Sequence, residues 1–226
     1  MLTTYHGLVS YDTGQIIQQK THEKVSAGGE DETLIFEHPH VYTLGRMGKH
    51  EDILIEGQIV KKLGIEIRNT DRGGEVTYHG PGQLVVYPIV KLDRIAYSPS
   101  EYVRALKISI IDCLDEYGII GNEKDMPTGV WVGSKKIAAI GIRVSKKTTS
   151  HGLALNVHTD LSYFSHIIPC GIHDCLVTSI KEEVIEYPTM KDVAYSVGCK
   201  LGKVLRKQIV WQDISSNQDS DPSPTI

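Results

Sequence analysis

With 226 residues, the chain has room for one or two domains at about 150 residues each, and a single compact domain is the simpler reading. Lys plus Arg is 24 and Asp plus Glu is 28, giving a net charge of −4, with 40% hydrophobic and 23% charged residues. This balance excludes a wholly disordered chain, a collagen-like repeat and a coiled coil, and it disfavours broad electrostatic binding of nucleic acid, which needs a basic surplus.

In chain order, Asp12 to Ser26 carries Ile16, Ile17 and Val25 on a polar background and predicts a moderately amphipathic helix, stopped at Gly28-Gly29. Thr33 to Phe36 and Val41 to Leu44 are short β-prone runs interrupted by His38-Pro39-His40. Gly64 to Asn69 alternates Ile65 and Ile67 with Glu66 and Arg68, the pattern of a half-buried strand. Gln83 to Val90 is more continuously apolar and predicts a strand covered on both faces.

Ser98-Pro99-Ser100-Glu101 places a cap, a first-turn proline and a capping-box glutamate at the head of a helix. Val103, Leu106, Ile110, Leu114 and Tyr117 follow at helical spacing, and Gly118 ends it. Gly129 to Val132 and Ile137 to Val144 are β-prone and joined by Gly133-Ser134, which predicts a hairpin. Thr149 to Val157 reads as another strand. A second helix starts near Thr189, with Val193, Val197, Leu201 and Val204 as its buried stripe. Residues 215–226, rich in Ser, Asp and Pro, bury too little to order themselves and read as a disordered tail behind a single domain over 1–214. Strands with a few helices between them argue an α+β fold rather than a βαβ repeat.

The four cysteines are Cys113, Cys170, Cys175 and Cys199, and none is spaced as a zinc knuckle or redox pair. A reduced compartment and no bound metal are expected. The first residues show no basic segment followed by an apolar core, so no secretory signal is expected. No apolar run approaches a membrane span.

Four segments concentrate residues suited to chemistry. Cys170 stands between Pro169 and Gly171, which fix the backbone and allow close approach of a substrate. A buried free cysteine is otherwise a small packing residue, the reading given to Cys113, Cys175 and Cys199. Lys136 opens the apolar run Ile137-Ala138-Ala139-Ile140-Gly141; strand alternation lets at most one of Lys135 and Lys136 point inward. An inward lysine near a cysteine stabilises a thiolate or takes its proton. Arg72 to Gln83 packs four glycines and a proline around an Arg, a Tyr and a His, and matches neither the dinucleotide nor the Walker fingerprint. His151-Gly152-Leu153-Ala154-Leu155-Asn156 is a second small-residue segment.

Taken together, Arg72 to Gln83, Lys136 to Gly141, His151 to Asn156 and Pro169 to Ile172 resemble the motifs of the lipoyl(octanoyl) transferase family. Val177-Thr178-Ser179 also matches, and the likeness runs from about Glu37-His38-Pro39 to Ser179. His40 stands where a second proline is expected, and the tail is extra. The resemblance implies a mixed or antiparallel sheet with flanking helices, as in the lipoate and biotin protein ligase catalytic domains. It implies a cytoplasmic acyltransferase without cofactor, moving an octanoyl group from acyl carrier protein to a lysine of lipoyl domains. Those acceptors would be the domains of 2-oxoacid dehydrogenase complexes and the glycine cleavage H protein; no nucleic acid or membrane partner is implied, and the chain is expected to be a monomer.

By the same resemblance Cys170 is the nucleophile that carries the acyl thioester, and Lys136 favours its thiolate and transfers protons. Arg72, Gly73, Gly74, Glu75, Val76, Thr77, Tyr78, His79, Ala139, Ile140, Gly141, Gly152, Leu153 and Ala154 are implied to bind the substrate. Arg143, Lys146 and Lys147, with Arg46 and Lys49, are a candidate basic docking set for acidic carriers. Three rivals stand beside this reading: an ATP-dependent lipoate or biotin ligase, a cysteine hydrolase with His79 or His151 as base, and a catalytically silent lipoyl-binding module.

Overall fold

The structure is a computed structural model that describes residues 1–124, 128–168 and 175–218. Its centre is an eight-stranded sheet in the order β11-β1-β2-β6-β10-β9-β8-β7. The strands are β1 (Leu2–Leu8), β2 (Glu32–Glu37), β6 (Gln83–Ile89), β7 (Asn122–Lys124), β8 (Gly129–Val132), β9 (Lys135–Ser145), β10 (Thr148–Asn156) and β11 (Val210–Asp213). β11, β1 and β2 run parallel, and the remaining pairs are antiparallel. A second sheet of three strands, β4-β3-β5, is built from β3 (Val41–Leu44), β4 (Glu66–Asn69) and β5 (Val76–His79). The mixed sheets with flanking helices agree with the α+β expectation.

The helices α4 (Pro99–Asp115) and α6 (Met190–Val204) cover one face of the large sheet. Ser98 begins α4 because its hydroxyl accepts from the Glu101 amide at 3.3 Å while the Glu101 carboxylate accepts from the Ser98 amide at 2.7 Å. Thr189 and Asp192 close the same box at the head of α6. Tyr102, Leu106, Ile110 and Leu114 then bury the α4 stripe against Leu84, Val86, Leu153 and Leu155. Tyr102 lies fully buried, while Val103 of the expected stripe is only half-buried. Each fully buried Leu or Ile here contributes roughly 1.5–3 kcal/mol.

The opposite face is covered by α1 (Tyr11–Ser26) and the small sheet. The buried side of α1 is Tyr11, Gly14, Gln18, Thr21 and Val25; Ile16 is exposed. This polar, small-residue side is why hydrophobic periodicity alone misassigns its inner face. β1, β5 and β11 lack an isolated apolar signature and were not anticipated. Short helices α2 (Gly57–Lys62), α3 (Leu92–Ile95) and α5 (Ile180–Glu183) connect the larger elements. After β11, Ser215–Gln218 forms a 3-10 turn, so the chain continues past the expected domain end at 214, and the Asp213 carboxylate caps that turn by accepting from the Ser215 amide at 2.9 Å. Residues 219–226 lie outside the described residues.

Candidate active site

Lys136 reaches the interior through a bulge. β8 and β9 pair Val130 with Ala138 but Trp131 with Lys136, so Ile137 is an extra residue on β9. Ile137 packs into the core beneath α4, while Lys136 and Ala139 both line a cavity on the other face. Lys136 is 5% exposed; the Lys135 side chain is 49% exposed and pairs with Glu183 at 3.4 Å. The two lysines thus part as strand alternation predicts. The Lys136 ammonium lies 5.8 Å from the Trp131 ring centroid. A Cβ on Gly129 would clash with the Ala138 carbonyl oxygen and crowd Lys136 Cε, so the backbone there calls for glycine.

The Lys136 backbone anchors the chain that follows the cysteine segment. Its amide donates to the Leu176 carbonyl at 2.8 Å, and its carbonyl accepts from the Thr178 amide at 3.0 Å. Upstream, Ile168 donates to the Asp52 carbonyl at 2.8 Å. Cys170, with Pro169 and Gly171 to Asp174, lies outside the described residues. Cys113 is fully buried, and burial pushes its thiol up to about 11.

Residues Arg72 to Thr77 form a strap over β9. The Gly73 amide donates to the Ile142 carbonyl at 3.0 Å, and a Cβ on Gly141 would meet the Gly73 carbonyl oxygen at 2.8 Å. A Cβ on Gly45 would clash with the Gly74 carbonyl oxygen, so glycine is required on both sides of the strap. Arg72 fastens it: its guanidinium donates to the carbonyls of Thr43 and Glu75, each at 2.7 Å, and of Gly73 at 3.0 Å. Those donors go to the strap and its neighbour strand, which gives Arg72 a role in holding the binding loop.

Under the strap lies a cavity of about 340 Å³, within the range of small-molecule sites. Lys136, Arg72 to Thr77, His79, Ala139 to Gly141 and Gly152 to Ala154 all line it. Its floor uses two cross-strand pairs of small residues, Gly141 with Gly152 and Ala139 with Ala154. Tyr78 is the exception among the expected binding residues: it is fully buried in the small sheet's core, its ring stacks 5.0 Å from Tyr163, and its hydroxyl meets His40 Nδ1 at 2.8 Å. Period-two alternation within Val76 to His79 carries this signal, because Tyr78 and Val76 face the small core together.

His79 is fixed by a buried amide brace. The Gln83 side-chain nitrogen donates to the Tyr78 carbonyl at 3.1 Å and to Asn156 Oδ1 at 2.9 Å, leaving Gln83 Oε1 to accept from His79 Nδ1 at 2.7 Å. Asn156 in turn donates to the Thr178 carbonyl at 2.9 Å. Burial first, then the nearby His38, push His79 down to about 3, so it is a neutral, positioned ring. His151 has a left-handed backbone (φ 57°) and aims its side chain into the cavity, where Nε2 meets Asp71 at 2.7 Å. Burial, then the Arg72 and Arg143 guanidiniums, push it down to about 3.

Sequence reasoning did not single out Tyr11, Met47, Val85 and Tyr87, which also line the cavity. They come from α1, a loop and β6, and no local motif ties them to the site. The basic docking set is divided. Arg143 pairs with Asp71 beside the strap, whereas Lys146 and Lys147 form the left-handed turn at the far end of the β9–β10 hairpin, with Lys147 3.8 Å from Asp93. Among the described residues no group of three His, Cys, Asp or Glu side chains is placed to hold a metal ion. No helix of the described residues is long and apolar enough to cross a membrane.

The sequence matches the family described as the lipoyl protein ligase A/B catalytic domain over residues 10–202. An octanoyltransferase of Bacteroides thetaiotaomicron is 45% identical over 184 residues, covering 79% of this chain and 81% of that one. One from Solibacter usitatus is 50% identical over 167 residues, covering 74% and 76%. A mitochondrial octanoyltransferase of Arabidopsis thaliana is 38% identical over 213 residues, covering 92% and 90%. Among solved structures, a lipoate-protein ligase A bound with ATP aligns with a TM-score of 0.72 at 16% identity, covering 97% of this chain and 92% of that one, a likeness of fold. The biotin protein ligase of Aquifex aeolicus aligns at 0.51 and 14% identity, covering 91% and 69%. With its sequence matched over most of its length, the chain belongs to the lipoyl protein ligase A/B catalytic-domain family and, within it, to the octanoyltransferases.

Proposed function

We propose that this enzyme takes an octanoyl group from acyl carrier protein, holds it as a thioester on Cys170, and delivers it to the lysine of a lipoyl domain. The observation that carries the reading is the apolar-floored cavity under the strap, with buried Lys136 at one end and the chain after the cysteine segment hydrogen-bonded to the Lys136 backbone. Four residues lie between Cys170 and Cys175, and Leu176 is already paired with Lys136. That connection keeps the nucleophile on a short tether to the lysine.

An ordinary thiol with a pKa near 8.5 is only about 3% thiolate at neutral pH, so the cysteine needs a partner that takes its proton. Lys136 is that partner. The Cys170 thiolate attacks the carrier thioester carbonyl; the carbon–sulfur bond to the carrier breaks, and the carrier thiolate leaves with the proton held by Lys136. The amine of the acceptor lysine then attacks the Cys170 thioester. Its carbon–sulfur bond breaks as the amide forms, and the amine proton returns through Lys136 to Cys170. Backbone amides near Cys170 and Gly141 are the candidate stabilisers of the oxyanion. The strap and the Ala139, Ala154, Gly141 and Gly152 floor hold the chain, at about 0.8 kcal/mol per buried methylene.

Burial holds His79 and His151 down to about 3, which makes both weak bases and supports transfer over a histidine-based hydrolase. The deciding experiment incubates the enzyme with octanoyl-carrier protein, without ATP, and reads intact mass before and after adding a lipoyl domain. An octanoyl adduct on Cys170 that moves to the domain is expected. An ATP requirement, or transfer retained in Cys170→Ser, overturns the mechanism, and acid release without an acceptor indicates hydrolysis.

A further inference from the structure

The cavity has two distinguishable ends. At one end Thr77 and Lys136 sit together, and both also line a smaller adjoining void. The strap then runs back along β9 until Gly73 hydrogen-bonds to Ile142. Six positions along β9 lead from Lys136 to Ile142, one of them the bulged Ile137, so the strand advances by about five residues, roughly 16 Å at ~3.3 Å per residue. At the Ile142 end, the residue just before the strap, Asp71, closes over the hairpin. Its carboxylate accepts from His151 Nε2 at 2.7 Å and pairs with Arg143. His151 is paired with Ile142 across the hairpin and meets the Tyr87 ring edge-on at 5.9 Å.

The closure joins inside to outside. The His151 side chain is 3% exposed and lines the cavity, whereas Asp71 is 52% exposed. Ile142 packs beneath α4, so an unbroken pleat would send its cross-strand partner the same way; the left-handed backbone at His151 turns the ring to the cavity instead. A non-glycine residue with that backbone is held there by its surroundings, here the His151 amide donating to Gln18 Oε1 at 2.5 Å and the ring bonded to Asp71.

We propose that the Asp71–His151–Arg143 cluster is the end stop of the acyl cavity and sets the longest chain the enzyme accepts. The inference rests on the reading that the reacting carbonyl lies at the Lys136 end. A chain that fits ends against the His151 ring. A longer chain must displace that ring and break its bond to Asp71, exposing a polar pair to a methyl terminus. Removing Asp71 or Arg143 frees the ring to swing outward and opens a path to solvent beside the strap.

The test measures transfer from N-acetylcysteamine thioesters of hexanoyl to tetradecanoyl length to a lipoyl domain, by intact mass and thiol release. Wild-type efficiency is expected to fall at least about tenfold between octanoyl and dodecanoyl substrates. Asp71→Ala and Arg143→Ala, both at exposed side chains, and His151→Gly, which suits the left-handed backbone, should each shrink that ratio several-fold. A second arm measures binding of the free C8 and C12 fatty acids by calorimetry and needs no thiol chemistry. If no chain is transferred but the variants favour C12 over C8 in binding, the functional reading fails and the end stop stands. An unchanged C12-to-C8 preference in both arms, in variants with wild-type circular dichroism, overturns the end stop.

Discussion

The two faces of the large sheet are built on different principles. Beneath α4 and α6 the core is Leu, Ile, Val and Ala with Tyr5, Tyr102, Cys113 and Met190. Beneath α1 and the strap, the other face holds His6 and His38 beside Phe36, and His79, His151 and Arg72 around a cavity. The first face supplies stability, and the second keeps space and polar groups in fixed orientation. Neighbouring residues of a single strand serve both: on β6, Leu84 and Val86 face the helices while Val85 and Tyr87 face α1 and the cavity. Stability and chemistry are thus separable by face.

The largest expected effect lies on the cavity face. Lys136→Met should lower transfer by about 10²–10⁴-fold, the usual range for lost general acid–base catalysis, with little change in melting temperature. A rate near wild type, followed by mass of the acceptor domain, would break the proposed division. On the helix face, Leu106→Ala should cost about 2–5 kcal/mol in denaturant unfolding, while activity per folded molecule is retained.

The smallest effect per residue is acid sensitivity. His6 and His38 are pushed down to about 4, and His79 and His151 to about 3, in each case chiefly by burial. Unfolded histidine titrates near 6.5, so below that pH the unfolded chain binds protons that the folded chain refuses. Stability is therefore full above pH ~6.5 and falls as pH drops towards the folded values, by up to about 1.4 kcal/mol per pH unit for each histidine. Thermal melts at pH 8, 6 and 5 should show the loss. His6→Phe, placed beside Phe36, should flatten the slope. A slope unchanged by that substitution would mean that acid acts elsewhere.

What the sequence disclosed follows the same division. The helix face was legible because capping boxes at Ser98 and Thr189 and apolar stripes at 3.6 spacing are local signals. Strand alternation allowed at most one of Lys135 and Lys136 to point inward, and the strap was legible as a glycine-rich segment. The partners of those residues were not: Asp71 meets His151 across 80 positions and Gln83 meets Asn156 across 73, and no local pattern announces such pairs. Arg72, expected to hold substrate, lines the cavity and also donates to carbonyls of the loop, a further role no local pattern announces because a guanidinium's five donors suit clustered carbonyls as well as a ligand.

The single extra residue at Ile137 has a consequence for how the family's chemistry tolerates change. Lys136 and Ala139 are an odd number of positions apart, so only a broken pleat brings them to one side. The phase of the strand, not the identity of the lysine's neighbours, decides which ammonium enters the cavity. Lys135 stands immediately upstream, so a slip by one position would deliver a second ammonium to the same place. A doubled lysine at a phase-shifting bulge keeps an amine at the cavity through a one-position slip that would remove any single side chain.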